Sequence, residues 1–187
     1  MNKTKPVKAT HALSVASDSI SAQVFWVVTF ALLTAVGAQI EIPYQPVPFT
    51  LQTMFVLLSG GLLGERNGSI SMLLYLGLGL VGLPVFSGGG FGLIRMLGPT
   101  GGYLFAFPVA AYTAGILLKN RKNLLPIALS MFVSLAIIFL MGTLQLGLVL
   151  GNWGTAVTSG LLIFSVWDLV KLAAATGIVY QFNKSKA

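Results

Sequence analysis

From Val24 to Tyr180 the chain is a series of apolar runs with few charges between them. That pattern restricts the fold more than any single motif. A bilayer offers no water to satisfy the backbone, so a crossing segment must pair its own N–H and C=O groups. About 20 apolar residues make one helical crossing. Soluble domains carry about 25% charged residues, whereas this chain carries 8%, against 56% hydrophobic. The expected class is an all-α integral membrane protein. Its 187 residues suit one compact bundle and leave no room for a second domain. The absence of cysteine excludes disulfides and thiolate metal sites. A net charge of +7 would suit nucleic acid, but the basic residues stand at the ends of the apolar runs. There they mark topology, and no nucleic-acid partner is expected.

Residues 1–22 form a polar tail containing Lys3, Lys5, Lys8 and His11, without the apolar stretch of a signal peptide. The runs then predict six spans within residues 23–182: about Gln23–Gln39, Leu51–Leu63, Ser69–Leu83, a fourth ending near Leu118, Leu124–Leu150, and Thr158–Tyr180. Residues 183–187 form a second short tail. Pro43, Pro46 and Pro48 forbid a regular helix after the first span. The second span is short for a crossing, so part of this Pro loop is expected to dip into the interior. Irregular backbone is tolerated at membrane depth only when buried in protein or lining a cavity. Gly64–Gly68 reads as a tight turn, Gly82–Tyr103 as a long glycine-rich loop, and GNWG (Gly151–Gly154) as another turn.

Six spans put both termini on one side. Nine of the eleven Lys and Arg residues then share that side: Lys3, Lys5, Lys8, Arg66, Lys119, Arg121, Lys122, Lys184 and Lys186. By the positive-inside rule the termini are cytoplasmic. The outer loops, near residues 40–50, 83–98 and 151–157, hold Arg95 alone.

Two charges interrupt the last run. In SVWDLVK, Asp168 and Lys171 are three residues apart and so share a helix face, near the middle of their predicted span. Each costs on the order of 2.5–3.5 kcal/mol at the bilayer centre. One reading is mutual neutralisation, or the pinning of two helices. A buried pair, however, often adds little net stability over apolar residues of the same shape. The other reading is ligand binding. A carboxylate accepts N–H donors from a urea-like group, and an ammonium donates to a carbonyl or carboxylate. Ser165 and Trp167 share the span, and Trp167 either walls a ligand or faces lipid.

The glycine-rich loop contains GGGFG but lacks the following GK[ST] and preceding strand of a phosphate loop, so ATP binding is not expected. Gly89 and Gly90 supply backbone that approaches a ligand closely. In GPTGGY, Pro99 and Thr100 suit the start of a helix whose free N–H groups favour an anion such as a carboxylate. A flexible turn that lets helices pack explains the same residues. Gln52 lies at the mouth of the second span, where it and the outer loops can converge with the charged pair on one cavity. Ala31 and Ala35 make a small-xxx-small pair that allows close helix approach, either inside the bundle or against a partner. One histidine in a tail and no cysteine leave no metal cluster and no nucleophile–base pair, so the chain is not expected to be an enzyme.

Taken together, QIEIPYQPVPFTLQT, LLSGGLLGERNG, LLYLGLGL, GLPVFSGGGFG, GPTGGYLFAF and WDLVK resemble the BioY family over about residues 23–180. BioY proteins are the biotin-binding substrate-capture (S) components of energy-coupling factor (ECF) transporters. The resemblance implies a six-helix bundle in the bacterial cytoplasmic membrane that takes up biotin. Its partners would be a transmembrane coupling protein and two cytoplasmic ATPases, and it would need no cofactor or metal. It implies further that Asp168 and Lys171 contribute to biotin recognition, and that Ala31 and Ala35 match the first-helix alanine motif that meets the coupling protein. Biotin has a ureido ring with two N–H donors and a carbonyl, and a valerate tail ending in a carboxylate. Asp168 is expected to accept from the ureido N–H groups and Lys171 to donate. Tyr103, Phe91 and Phe86 would pack on the apolar parts. Gly89, Gly90 or Thr100 would lie near the tail. An S component or permease for another vitamin, or a channel using the charged pair as an ion path, are the alternative classes.

Overall fold

The computed structural model describes residues 19–161 and 166–185. The basic tail with His11, Ser165 and Lys186 therefore lie outside the described residues. Helix α1 (Ile20–Gln39) buries Phe30, Ala31, Thr34, Gly37 and Ala38, a stripe with helical spacing. That stripe packs on the next helix, where the Ser71 hydroxyl donates to the Val27 carbonyl at 2.7 Å. The Pro loop has more order than its prolines suggest. Strands β1 (Glu41–Ile42) and β2 (Phe49–Thr50) pair antiparallel, with Glu41 opposite Thr50. A cis Gln45–Pro46 bond lies in the connection.

Helix α2 (Gln52–Leu80) is broken at Gly64, where φ is 85° and ψ is 178°. That conformation is essentially restricted to glycine. One residue reverses the chain, and Glu65–Gly68, expected to be turn, already form the first part of the returning arm. The two arms touch closely: a Cβ on Gly68 would lie 2.8 Å from the Gly60 Cα. The first arm, 52–63, rises only about 18 Å at 1.5 Å per residue.

The glycine-rich segment is also partly regular. A 3₁₀ turn (Ser87–Gly89) and a short helix α3 (Gly92–Leu97) precede α4 (Gly101–Leu117). Helix α5 (Leu124–Leu150) ends on Gly151, whose φ of 63° closes the helix in the left-handed region. Asn152 then caps α6 (Trp153–Ala156), its side chain accepting from the Thr155 N–H at 3.0 Å. Trp153 and Gly154 are thus helical, not turn residues. A π-helical segment (Val157–Leu161) follows, and then α7 (Val166–Lys184). The last predicted span thus begins in a π-helical segment.

The bundle has two unlike ends. At one, Lys119 pairs with Glu65 at 3.4 Å and the Asn183 amide donates to the Arg121 carbonyl. At the other gather the Pro hairpin, the glycine-rich segment and α6. The outward surface is apolar: Leu32, Leu129, Leu144 and Leu148 are exposed, whereas Ser59, Ser71 and Ser134 are buried. Those buried hydroxyls donate to backbone carbonyls, which satisfies them without side-chain partners. Among the described residues, α1 and α5 are long and apolar enough to cross a membrane, and α4 is a shorter apolar helix.

Candidate functional site

Asp168 and Lys171, one turn apart on α7, form an ion pair with Nζ–Oδ1 of 2.7 Å. Both are buried, at 2% and 7% exposure. Lys171 also donates to the Thr50 carbonyl at 2.9 Å, 121 residues away in sequence. An ammonium has three N–H donors, so one is left beyond these two contacts. Some 13 residues of α7, about 20 Å of helix, extend from Lys171 to Lys184. The pair therefore sits nearer the loop-bearing end of the bundle than the middle of a span.

Thr50 is held in turn by Gln52. The Thr50 hydroxyl donates to Gln52 Oε1 at 2.9 Å, and the Gln52 side-chain amide donates to the Tyr75 hydroxyl, which donates to the Val85 carbonyl. The bond from Gln52 to Tyr75 spans the two arms of α2, so it exists only because Gly64 reverses the chain. Gln52 lines the cavity, but its amide is engaged in positioning the strand whose carbonyl meets Lys171.

These groups border one cavity that is open at its mouth. Of the residues singled out in the sequence, Asp168, Lys171, Gln52, Thr100, Tyr103 and Phe86 line it. The Tyr103 hydroxyl donates to the Gly160 carbonyl at 3.1 Å in the π-helical segment, which leaves its ring as wall. Thr100 precedes α4 but makes no side-chain cap.

The other residues singled out in the sequence lie away from this lining. Phe91 is exposed and does not line the cavity, because it leads into α3 from an extended backbone. Gly89 and Gly90 do not line it either. The Gly89 N–H donates to the Gln39 side chain at 3.2 Å, and a Cβ on Gly90 would come within 2.9 Å of Arg95 Nε. Their close approach is to the protein's own side chains. Trp167 is exposed at 60% and does not line the cavity. Ala31 is fully buried, and Ala35 is half-buried against the core.

Other lining residues were missed. Arg95, on α3, reaches the cavity and donates to the Ser87 carbonyl at 2.9 Å. Its signal was present in the sequence, as the lone basic residue of the outer loops. Thr53 lines the cavity with a buried hydroxyl that has no hydrogen-bond partner among the described residues. Phe107 and Phe139 supply apolar wall from mid-helix positions that nothing local distinguishes from ordinary core. The site thus offers a carboxylate–ammonium pair, a guanidinium, a free hydroxyl and aromatic faces. It holds no cluster of His, Cys, Asp or Glu that fits a metal among the described residues.

A sequence model described as the BioY family matches residues 5–187. The chain belongs to the BioY family. It is 42% identical over 161 residues to a probable biotin transporter BioY of Pyrococcus horikoshii, covering 86% of this chain and 96% of that one. It is 38% identical to the biotin transporter BioY of Thermotoga maritima, over 83% and 92% of the two chains. A crystal structure of the S-component for biotin from an ECF-type ABC transporter superposes with a TM-score of 0.80 at 28% identity, over 88% of this chain and 92% of that one. The family resemblance of the sequence motifs and the mostly helical architecture agree with these likenesses.

Proposed function

We propose that this chain captures biotin and takes it up across the cytoplasmic membrane as the S component of an ECF-type transporter. The observation that carries this reading is the placement of the Asp168–Lys171 pair and Arg95 on one cavity that is otherwise largely aromatic and aliphatic. Biotin has the complementary layout, a polar ureido head and a carboxylate tail joined by apolar parts. In this reading Asp168 accepts from a ureido N–H, and the remaining N–H of Lys171 donates to the ureido carbonyl. Thr53 adds a hydroxyl, and Phe86, Tyr103, Phe107 and Phe139 cover the thiophane ring and chain. Arg95 receives the carboxylate, since a guanidinium forms charge-assisted bonds to carboxylates.

The proposed topology is six spans with both termini cytoplasmic: α1, the two arms of α2, α4, α5 and α7. Its support is the segregation of charge along the bundle, with the Lys119–Glu65 pair and Arg121 at the end opposite the cavity. The first arm of α2 is too short to cross alone, and the Pro hairpin fills the remaining depth. The chain holds no ATPase machinery in this reading; a coupling protein and two ATPases supply it. The exposed stripe Val28, Leu32 and Val36 of α1 faces lipid or the coupling protein.

Calorimetry on the purified protein tests the function. Saturable one-to-one binding of biotin, with no heat from thiamine, is expected. A flat trace with biotin would sink the reading, and tight thiamine binding would replace it with another vitamin.

A further inference from the structure

Helix α3 is inside-out for a loop in water. At about 100° per residue, Leu93, Leu97 and Ile94 form one stripe, and all three are exposed, Ile94 at 89%. The opposite side carries Met96, which is buried, and Arg95, which turns inward to the Ser87 carbonyl. The charge faces the protein and the apolar side chains face out. An exposed apolar stripe on a helix whose polar residue is internal is the arrangement required by a hydrocarbon surrounding.

The depth of α3 can be read from α5. The Gln145 amide donates to the Met96 and Gly98 carbonyls, both at 2.9 Å. Gln145 is five residues before the end of α5 at Leu150, about 7–8 Å along the axis. Its side chain also tilts toward the helix N-terminus, away from that end. Helix α5 is about 40 Å long at 1.5 Å per residue, some 10 Å more than a hydrocarbon core of about 30 Å. With the excess shared between its ends, the C-terminus of α3 falls at the hydrocarbon boundary. At that level the α5 surface is apolar, with Leu144 and Leu148 exposed. Val81 and Leu83, which lead out of α2, continue the apolar surface toward α3.

We propose that α3 is a membrane-seated flap. Leu93, Ile94 and Leu97 lie against the acyl chains of the cavity-side leaflet, while the reverse of the same helix presents Arg95 to the cavity. The position of the arginine is then set by lipid on one side and by the Gln145 brace on the other. Phe91, exposed immediately before α3, belongs to this outer edge. The flap rests on the membrane-embedded reading above, and the test separates the two.

The chain contains no cysteine, so single-site nitroxide labelling needs no background substitutions. Ile94→Cys and Leu97→Cys are labelled in liposomes of phosphatidylcholine and phosphatidylglycerol. Collisional relaxation is measured with molecular oxygen, which partitions into lipid, and with a water-soluble nickel chelate. Leu144→Cys on α5 is the lipid reference, and Tyr44→Cys, at an exposed position of the Pro hairpin, is the hairpin reference. Oxygen dominance at residues 94 and 97, matching residue 144, is expected. Dominant nickel-chelate collisions at 94 and 97, with residue 144 still lipid-like, would overturn the flap and leave the membrane reading intact. Protection from both reagents would also overturn it, by showing protein there. A water-like signal at residue 144 would defeat the membrane reading itself. Both flap sites are exposed, so labelling removes no core contact, and agreement between them guards against a local distortion at either.

Discussion

Asp168→Asn is the sharpest perturbation of the proposed site, because it keeps the shape while replacing the charged carboxylate by a neutral amide. In the native structure the Asp168 carboxylate meets Lys171 Nζ at 2.7 Å with both residues almost wholly buried. The substitution leaves the ammonium with the Thr50 carbonyl and a neutral amide whose NH₂ group is itself a donor. Breaking a buried pair by removing one partner costs about 3–5 kcal/mol of stability. Ligand binding should lose a charge-assisted hydrogen bond worth about 1.5–3 kcal/mol, which is a Kd raised roughly 10- to 100-fold at 1.4 kcal/mol per decade. Calorimetric titration with biotin reads the second effect, and thermal unfolding without ligand reads the first. The double variant Asp168→Leu with Lys171→Met separates them. Replacing both partners by apolar residues is often neutral for stability, so the melting temperature should recover while affinity stays lost. An unchanged Kd in Asp168→Asn would refute the assignment of Asp168 to the ureido head. Recovery of binding in the double variant would reduce the pair to a structural role.

Two further outcomes follow from other parts of the structure. Arg95→Met should weaken biotin by about 10-fold or more, the worth of a charge-assisted bond, while leaving neutral biotinamide little changed. Equal losses for both ligands in calorimetry would remove the carboxylate from Arg95. Gly64→Ala should lower stability by about 1–3 kcal/mol, the cost of a strained backbone, because φ there is 85°. Gly77→Ala is the control, since a Cβ at that position meets nothing within 4 Å. Equal melting temperatures for the two variants would show that the reversal at Gly64 tolerates a side chain.

How far the sequence reaches is clear from particular residues. Apolar runs and sparse charge are properties of composition and period, and they specified a helical membrane protein. The clustering of Lys119, Arg121 and Lys122 in a single turn was equally legible. Asp168 and Lys171 stood out because a charge in an apolar run is anomalous wherever the chain goes. Gly64 was recognised as part of a turn, although not as the single residue that makes it.

What the sequence could not supply is which distant residues meet. The bond from Lys171 to Thr50 joins positions 121 residues apart, and it depends on where the Pro hairpin sits over α7. Arg95 and Phe91 are four residues apart on the same loop, yet one faces the cavity and the other the exterior. Their directions follow from the short helix α3, whose six residues give no periodic signal long enough to read. Ala31 and Ala35 have spacing suited to either an internal or an external contact, and only the packing of α1 on α2 buried Ala31. Local pattern therefore determined the class of protein and its anomalous charges. The cavity was decided by tertiary packing, because burial and convergence belong to the assembled helices and to no single stretch of chain.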